Sequence, residues 1–158
     1  MPTIKRPSAK QAGGLALALA LAATSISAWE GTRLDPYLDL TNVKTVCTGE
    51  TRVAMRRYTA AECQAMLDKA IKQDFAPKVL QCAPSIADKP YIAAASISLS
   101  YNIGTNAFCR STIAKRFNRG DYLGGCNAFL MWNRAGGRVV KGLENRRKDE
   151  RNLCLKGV

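Results

Sequence analysis

Glu30, Asp39 and Thr45 stand at the spacing E-x8-D-x5-T in the first third of a chain of 158 residues. Two carboxyl groups are what glycoside hydrolysis requires. One carboxylic acid protonates the leaving oxygen, and one carboxylate helps water or acts as the nucleophile. No imidazole is needed for this, and the chain contains no histidine. That absence excludes a Ser-His-Asp or Cys-His nucleophile pair, a His-ligated zinc and imidazole acid/base chemistry. Any enzyme here works with carboxylates, hydroxyls, thiols or lysine. Each of the three residues also has a plainer reading: a helix-end charge, a turn cap and a strand filler.

The elements that would position these residues follow from the pattern along the chain. Residues 35–58 carry Pro, Asn and Gly turns and short β-favouring runs such as VKTVCT, which predicts a small antiparallel sheet. Thr59 and Glu62 form a capping box that opens a helix with Cys63, Met66, Leu67, Ala70 and Ile71 on one face. Asp88 and Pro90 start a second helix, ended by Gly104 and apolar on nearly all sides, so it is the expected core helix. Ser111 caps a short helix over 111–118 and Asp121 another over 121–132. Ala135, Gly136 and Gly137 break the chain before a basic helix over 143–155. The fold class is therefore α+β and mainly helical, a small sheet-bearing lobe followed by a larger helical lobe. The cleft between them is the expected site.

The net charge is +12, and residues 110–158 hold 12 basic and 4 acidic side chains. Such a balance calls for an anionic partner: nucleic acid, lipid or cell wall. The run GLENRRKDERNLCLKG mixes Glu and Asp into its basic residues, which reads as a solvated helix with i,i+4 pairs and not as a nucleic-acid surface. The cysteines at 47, 63, 82, 109, 126 and 154 contain no CxxC pair, so no metal site and no cofactor are expected. Three disulfides in an oxidising compartment suit them, with 15 connectivities open to sequence alone.

Lys5, Arg6 and Lys10 precede the uncharged stretch 12–29, AGGLALALALAATSISAW. The basic flank stays on the cytoplasmic side and the rest is exported. At 18 residues the stretch is at the short limit for a span, and Ala and Gly make it weakly apolar. Two readings stand: an uncleaved, marginal anchor, or a signal peptide cut after Ala28, with Ile26 a poor match at the third position before the cut.

The spacing of Glu30, Asp39 and Thr45 resembles the catalytic signature of the phage lysozymes, the lambdoid-type endolysins of glycoside hydrolase family 24. The resemblance continues through EGTRLDPYLD at 30–39, TVCTGET at 45–51, YTAAECQAML at 58–67, SYNIGTNAFCRST at 100–112, NRGDYLGGC at 118–126 and the segment after Trp132. One departure is Glu50, where many members carry His. The resemblance implies a two-lobe lysozyme fold over residues 30–158 and a signal-anchor-release segment over 1–29. It implies peptidoglycan as substrate, cut between N-acetylmuramic acid and N-acetylglucosamine during host lysis. Glu30 would be the general acid, and Asp39 and Thr45 would polarise and hold the attacking water. It further implies inversion, hence carboxyls about 6.5–9.5 Å apart. Arg146 is the implied partner of Glu30, with Arg147 equally open, and Tyr101 and Asn102 are implied supporting or substrate-binding residues. The family-like fold pairs Cys47 with Cys63, Cys82 with Cys109, and Cys126 with Cys154.

By the same resemblance, residues 12–29 would sit in the host inner membrane with the enzyme facing the periplasm. The segment would then leave the bilayer and become the helix leading into Glu30, and the active protein would be a monomer. No residue of 1–29 is Cys, which closes a thiol-controlled route of activation. A lytic transglycosylase and a non-enzymatic basic protein acting on anionic envelope surfaces are the rival functions.

Overall fold

The structure, a computed structural model, describes Arg6 and residues 8–158; Lys5, part of the basic flank, lies outside the described residues. The first helix, α1 (Ala9–Glu30), opens on a capping box in which Ser8 and Gln11 exchange side-chain and backbone hydrogen bonds. It ends at Gly31, whose φ of +70° takes the left-handed backbone that stops a helix. Ala18, Ala22, Ala23 and Ile26 form its buried face and pack chiefly on the core helix α4 (Pro90–Ile103). The helix crosses position 29/30 without interruption, so part of the apolar segment belongs to the hydrophobic core.

Two strands follow, β1 (Arg33–Leu38) and β2 (Lys44–Cys47), paired antiparallel with a register shift between Arg33 and Tyr37. The sheet is smaller than the sequence predicts. After Cys47 the chain makes one bridge, Val46 with Glu50, and residues 51–58 form no strand. Disulfide geometry takes over there: Cys47, at a φ of +59°, is joined to Cys63 on the next helix, with Cα atoms 5.0 Å apart.

That helix, α2 (Ala60–Ala70), has the expected Thr59–Glu62 capping box. It runs through a π-helical turn, Ile71–Phe75, into α3 (Ala76–Cys82), with Pro77 in the first turn of α3 where its missing N–H does little harm. α4 begins at Pro90 without a side-chain cap, so Asp88 does not have the role its position implied. Every residue from Ile92 to Ser100 is buried, and the helix packs against α1, α3 and the final helix.

The helical lobe continues with α5 (Thr105–Arg110), α6 (Thr112–Asn118) and α7 (Tyr122–Ala128). Ser111 and Asp121 cap α6 and α7 as expected, through Ala114 N–H and Gly124 N–H. Gly136 and Gly137 are the turn of a second hairpin, β3 (Arg134–Ala135) with β4 (Arg138–Val139), where the sequence showed only a break. The last helix, α8 (Lys141–Leu155), starts two residues earlier than predicted.

A further expectation is corrected in this helix. The basic helix is solvated on one side only: Lys141, Lys148 and Asp149 are exposed, while Arg146, Arg147, Glu150 and Cys154 are buried. The exposed i,i+4 pattern holds only for Lys148 with Glu144, 2.9 Å apart. Two further disulfides tie the helical lobe together, Cys82 to Cys109 and Cys126 to Cys154, with Cα separations of 5.2 and 5.6 Å. All three bridges are the pairs the resemblance implies.

Candidate active site

Glu30 sits at the C-terminal end of α1, where the helix stops because Gly31 follows. Its carboxyl oxygen Oε1 accepts a hydrogen bond from Arg146 Nη1 of α8 at 2.7 Å. The Glu30 side chain is 29% exposed and that of Arg146 only 6%. The carboxyl is therefore only partly exposed, and its partner is buried. Between the two sequence candidates the structure chooses Arg146. Arg147 turns instead to Asn102 Oδ1 at 3.0 Å, the Trp132 carbonyl at 3.4 Å, and Glu150.

Behind Arg146 lies a polar cluster that sequence reasoning missed. Glu150 Oε1 accepts from Arg146 Nε at 3.1 Å, from Arg147 Nη2 at 3.3 Å and from Ser98 Oγ at 2.9 Å. Arg147 Nε lies 2.8 Å from Glu150 Oε2, close enough for charge pairing but not aligned as a hydrogen bond. Ser98 Oγ meets Ser25 Oγ of α1 at 3.0 Å, and Arg146 Nη2 donates to the Ser98 carbonyl at 3.3 Å. Burial pushes the Glu150 carboxyl up, against the opposing pull of Arg147 and Arg146. Burial likewise draws Arg147 down, with Glu150 opposing it. The available signal was the serines inside an otherwise apolar helix together with an R-R-x-x-E run; of those serines, Ser98 alone meets the run.

Asp39 lies in the turn just after β1. Its Oδ1 accepts from Thr41 N and Thr41 Oγ1, both at 2.8 Å, and from Val43 N at 2.9 Å. These bonds hold its carboxyl below the usual aspartate range, Val43 N–H contributing most and the Thr41 hydroxyl next. Oδ2 takes part in none of them. Thr45 is buried in β2, opposite Tyr37, and its hydroxyl donates to the Val43 carbonyl at 3.0 Å. The Asp39 amide donates to the same carbonyl at 3.0 Å. Asp39 and Thr45 are thus tied together through Val43, whose polar groups both serve them. Among the described residues, no hydrogen bond joins Glu30 to either.

Tyr101 on α4 donates its hydroxyl to the Thr48 carbonyl, pinning the turn after β2 to the helical lobe. Burial first, then the nearby Glu30 and Glu50 charges, push its phenol up to about 12. Glu50 stays in the small lobe: Arg52 Nε reaches Glu50 Oε1 at 3.1 Å and Arg52 Nη1 reaches Asp74 Oδ2 at 2.8 Å, bridging to the π-helical turn. Burial would raise Glu50, but the bonds from Arg52 and Thr51 outweigh it and leave its carboxyl lowered. A cavity of about 270 Å³ opens here, lined by Glu50, Arg52, Asp74, Phe75 and Tyr101. It lies between the small lobe and the helical lobe, and Glu30, Asp39 and Thr45 are not among its lining residues. Among the described residues no group of three or more Cys, Asp or Glu side chains could hold a metal ion.

A two-lobe helical body carrying a small antiparallel sheet, with a partly exposed carboxyl at the end of the first helix, defines the lysozyme class. The phage lysozyme family profile matches residues 27–150, and the chain belongs to that family. The SAR-endolysin of Enterobacteria phage P21 is 37% identical across 99% of this chain and 98% of its own length. Among solved structures, the active form of the phage P1 endolysin superposes with a TM-score of 0.78 at 24% identity, covering 93% of this chain and 94% of that one. A phage P22 lysozyme variant does so at 0.68 and 26% identity, covering 85% and 94%.

Proposed function

We propose that Glu30 is the general acid of this endolysin and that Asp39 and Thr45 prepare the water. The protein is a lysozyme that breaks down peptidoglycan for host cell lysis. The bond cut is the β-1,4 linkage between N-acetylmuramic acid and N-acetylglucosamine. Glu30 donates a proton to the leaving oxygen as that bond breaks. Asp39, through Oδ2, draws a proton from water, and Thr45 offers its hydroxyl oxygen as an acceptor to hold that water. The outcome is inversion at the anomeric carbon, with a carboxyl separation of about 6.5–9.5 Å.

The observation that carries this reading is the Arg146–Glu30 contact at 2.7 Å, which fixes a partly exposed carboxyl at the lobe boundary. The low-lying Asp39 carboxyl supports the division of labour, because one group must remain ionised while the other keeps its proton. The test is product analysis on purified peptidoglycan. Reducing muramic acid ends are expected; anhydro ends would favour a transglycosylase.

The same proposal covers location. Before release, residues 12–29 lie in the host inner membrane and residues 30–158 face the periplasm; after release the protein is a periplasmic monomer. The stretch 12–29 lies wholly within α1 and makes about 27 Å of helix, at the short limit for a bilayer core. Its outer face in the folded protein carries Leu15 and Leu17, not the charged residues of an ordinary surface helix. A cut after Ala28 would remove Ala18, Ala22, Ala23 and Ile26 from the core and Ser25 from Ser98, which favours the uncleaved anchor. The N-terminal sequence of the exported protein decides between them. Met1 or Pro2 fits the anchor, and Trp29 fits cleavage.

A further inference from the structure

A general acid beside arginine faces a conflict. The guanidinium orients Glu30, yet a positive charge in contact with a carboxyl favours its ionised form. Arg146 is permanently charged, so the conflict must be answered by something near it. The groups facing this cluster come from three elements. Arg146, Arg147 and Glu150 are on α8, Tyr101 is on α4, and Glu30 itself is on α1; beyond Tyr101 stand Glu50 and Arg52. Tyr101, with its phenol held up to about 12, is neutral at any working pH. Two guanidinium groups are therefore set against one buried carboxylate directly behind the acid.

We infer that Glu150 is a positioning residue for the reaction, its buried carboxylate neutralising part of the Arg146 charge so that Glu30 keeps its proton. The inference rests on Glu30 being the acid. With Glu150 ionised, the α8 charges facing Glu30 sum to a single positive charge; without it they sum to two. The geometry couples the groups closely. Arg146 spends Nε on Glu150, Nη2 on the Ser98 carbonyl and Nη1 on Glu30, so one rigid planar group is held by three fixed partners. Ser98 adds a donor to the same Glu150 oxygen and holds Ser25 of α1. Arg146 therefore meets Glu30 in a fixed orientation and with a reduced effective charge.

Glu150→Gln tests this by the pH profile of kcat/KM on solubilised peptidoglycan. The alkaline limb, where the acid loses its proton, is expected to move down by roughly one pH unit, the scale of a nearby charge's effect. Glu150→Asp restores the charge and is expected to bring the limb back. In an Arg146→Met background the Glu150→Gln shift is expected to shrink, because the fixed bridge through Arg146 is lost and only the more distant charges of Glu150 and Arg147 still act on Glu30. A limb that stays put while kcat falls equally at every pH would overturn the inference and leave Glu150 a structural residue.

A second measurement needs no variant to fold. In the intact protein carrying 13C-labelled glutamate side chains, the Glu150 carboxyl is expected to be ionised throughout the pH range in which Glu30 titrates. A Glu150 that is still protonated there would overturn the inference. Failure of the underlying reading looks different: Glu30→Gln would then retain activity, whatever Glu150 does.

Discussion

Arg146 Nη1 meets Glu30 Oε1 at 2.7 Å, joining the last residue of the first helix to the final helix across 116 positions of sequence. One contact therefore reports that the apolar N-terminal helix is docked and that the Glu30 carboxyl is held in place. It also makes Arg146 doubly important, because the same guanidinium partners the buried Glu150.

Arg146→Ala is expected to cost about 3 kcal/mol or more of stability, since it leaves Glu150 buried with one arginine instead of two. Activity should fall at least tenfold, even at temperatures where the variant is folded. Thermal unfolding and lytic rate measured on the same preparation check both parts. A variant with unchanged midpoint and rate would show that the cluster contributes little.

Gly13 and Gly14 have open space where a side chain would project. Leucine at both positions therefore fits the folded enzyme while making the span more apolar in the bilayer. The purified Gly13→Leu/Gly14→Leu protein is expected to keep its activity, and lysis in cells should be delayed because release from the membrane is slower. Fractionation of membrane and periplasm reads the release. Unchanged release kinetics would count against the anchor.

Tyr101 gives a pH dependence with a definite sign. Its folded value of about 12 lies above the ordinary phenol near 10, so it contributes stability that is fully present below about pH 10. That contribution is lost as pH rises from about 10 to about 12. Absorbance titration should show a late-ionising phenol that Tyr101→Phe removes. The same variant loses the bond to the Thr48 carbonyl and is expected to loosen the turn carrying Glu50.

With Asp39 as the proposed base, its titration sets the other end of the pH range. Its carboxyl is held below the aspartate value by Val43 N–H and the Thr41 hydroxyl, so it stays ionised to lower pH than a free side chain. The acid limb of kcat/KM is expected below the ordinary aspartate range, and Thr41→Ala should move it upward by removing one donor. An acid limb that ignores Thr41→Ala would separate Asp39 from the reacting water.

Much of this architecture was legible because local rules and the tertiary fold agree. Thr59, Ser111 and Asp121 are caps whose side chains bond the first helical turn, and such signals act within a few residues. The apolar run from Ile92 to Ser100 could only be a core helix. Where distant partners decide, the sequence misleads. The mixed charges of 143–151 look solvated until α4 supplies Ser98 and the Ser98 carbonyl, which turn Arg146 and Glu150 inward. The π-helical turn at Ile71–Phe75 and the hairpin at 134–139 are also set by packing and turn geometry. Asp39 meets its plainer reading, capping the turn through Oδ1, and leaves Oδ2 outside those bonds.

The central claim is that Glu30 donates the proton, and Glu30→Gln measures it most directly. Glutamine keeps the shape and can still accept from Arg146, so the variant is expected to unfold within a few degrees of the parent. Its rate of reducing-end release from purified peptidoglycan should be lower by about 10²-fold or more. A folded Glu30→Gln protein that cleaves peptidoglycan within tenfold of the parent rate would contradict the account.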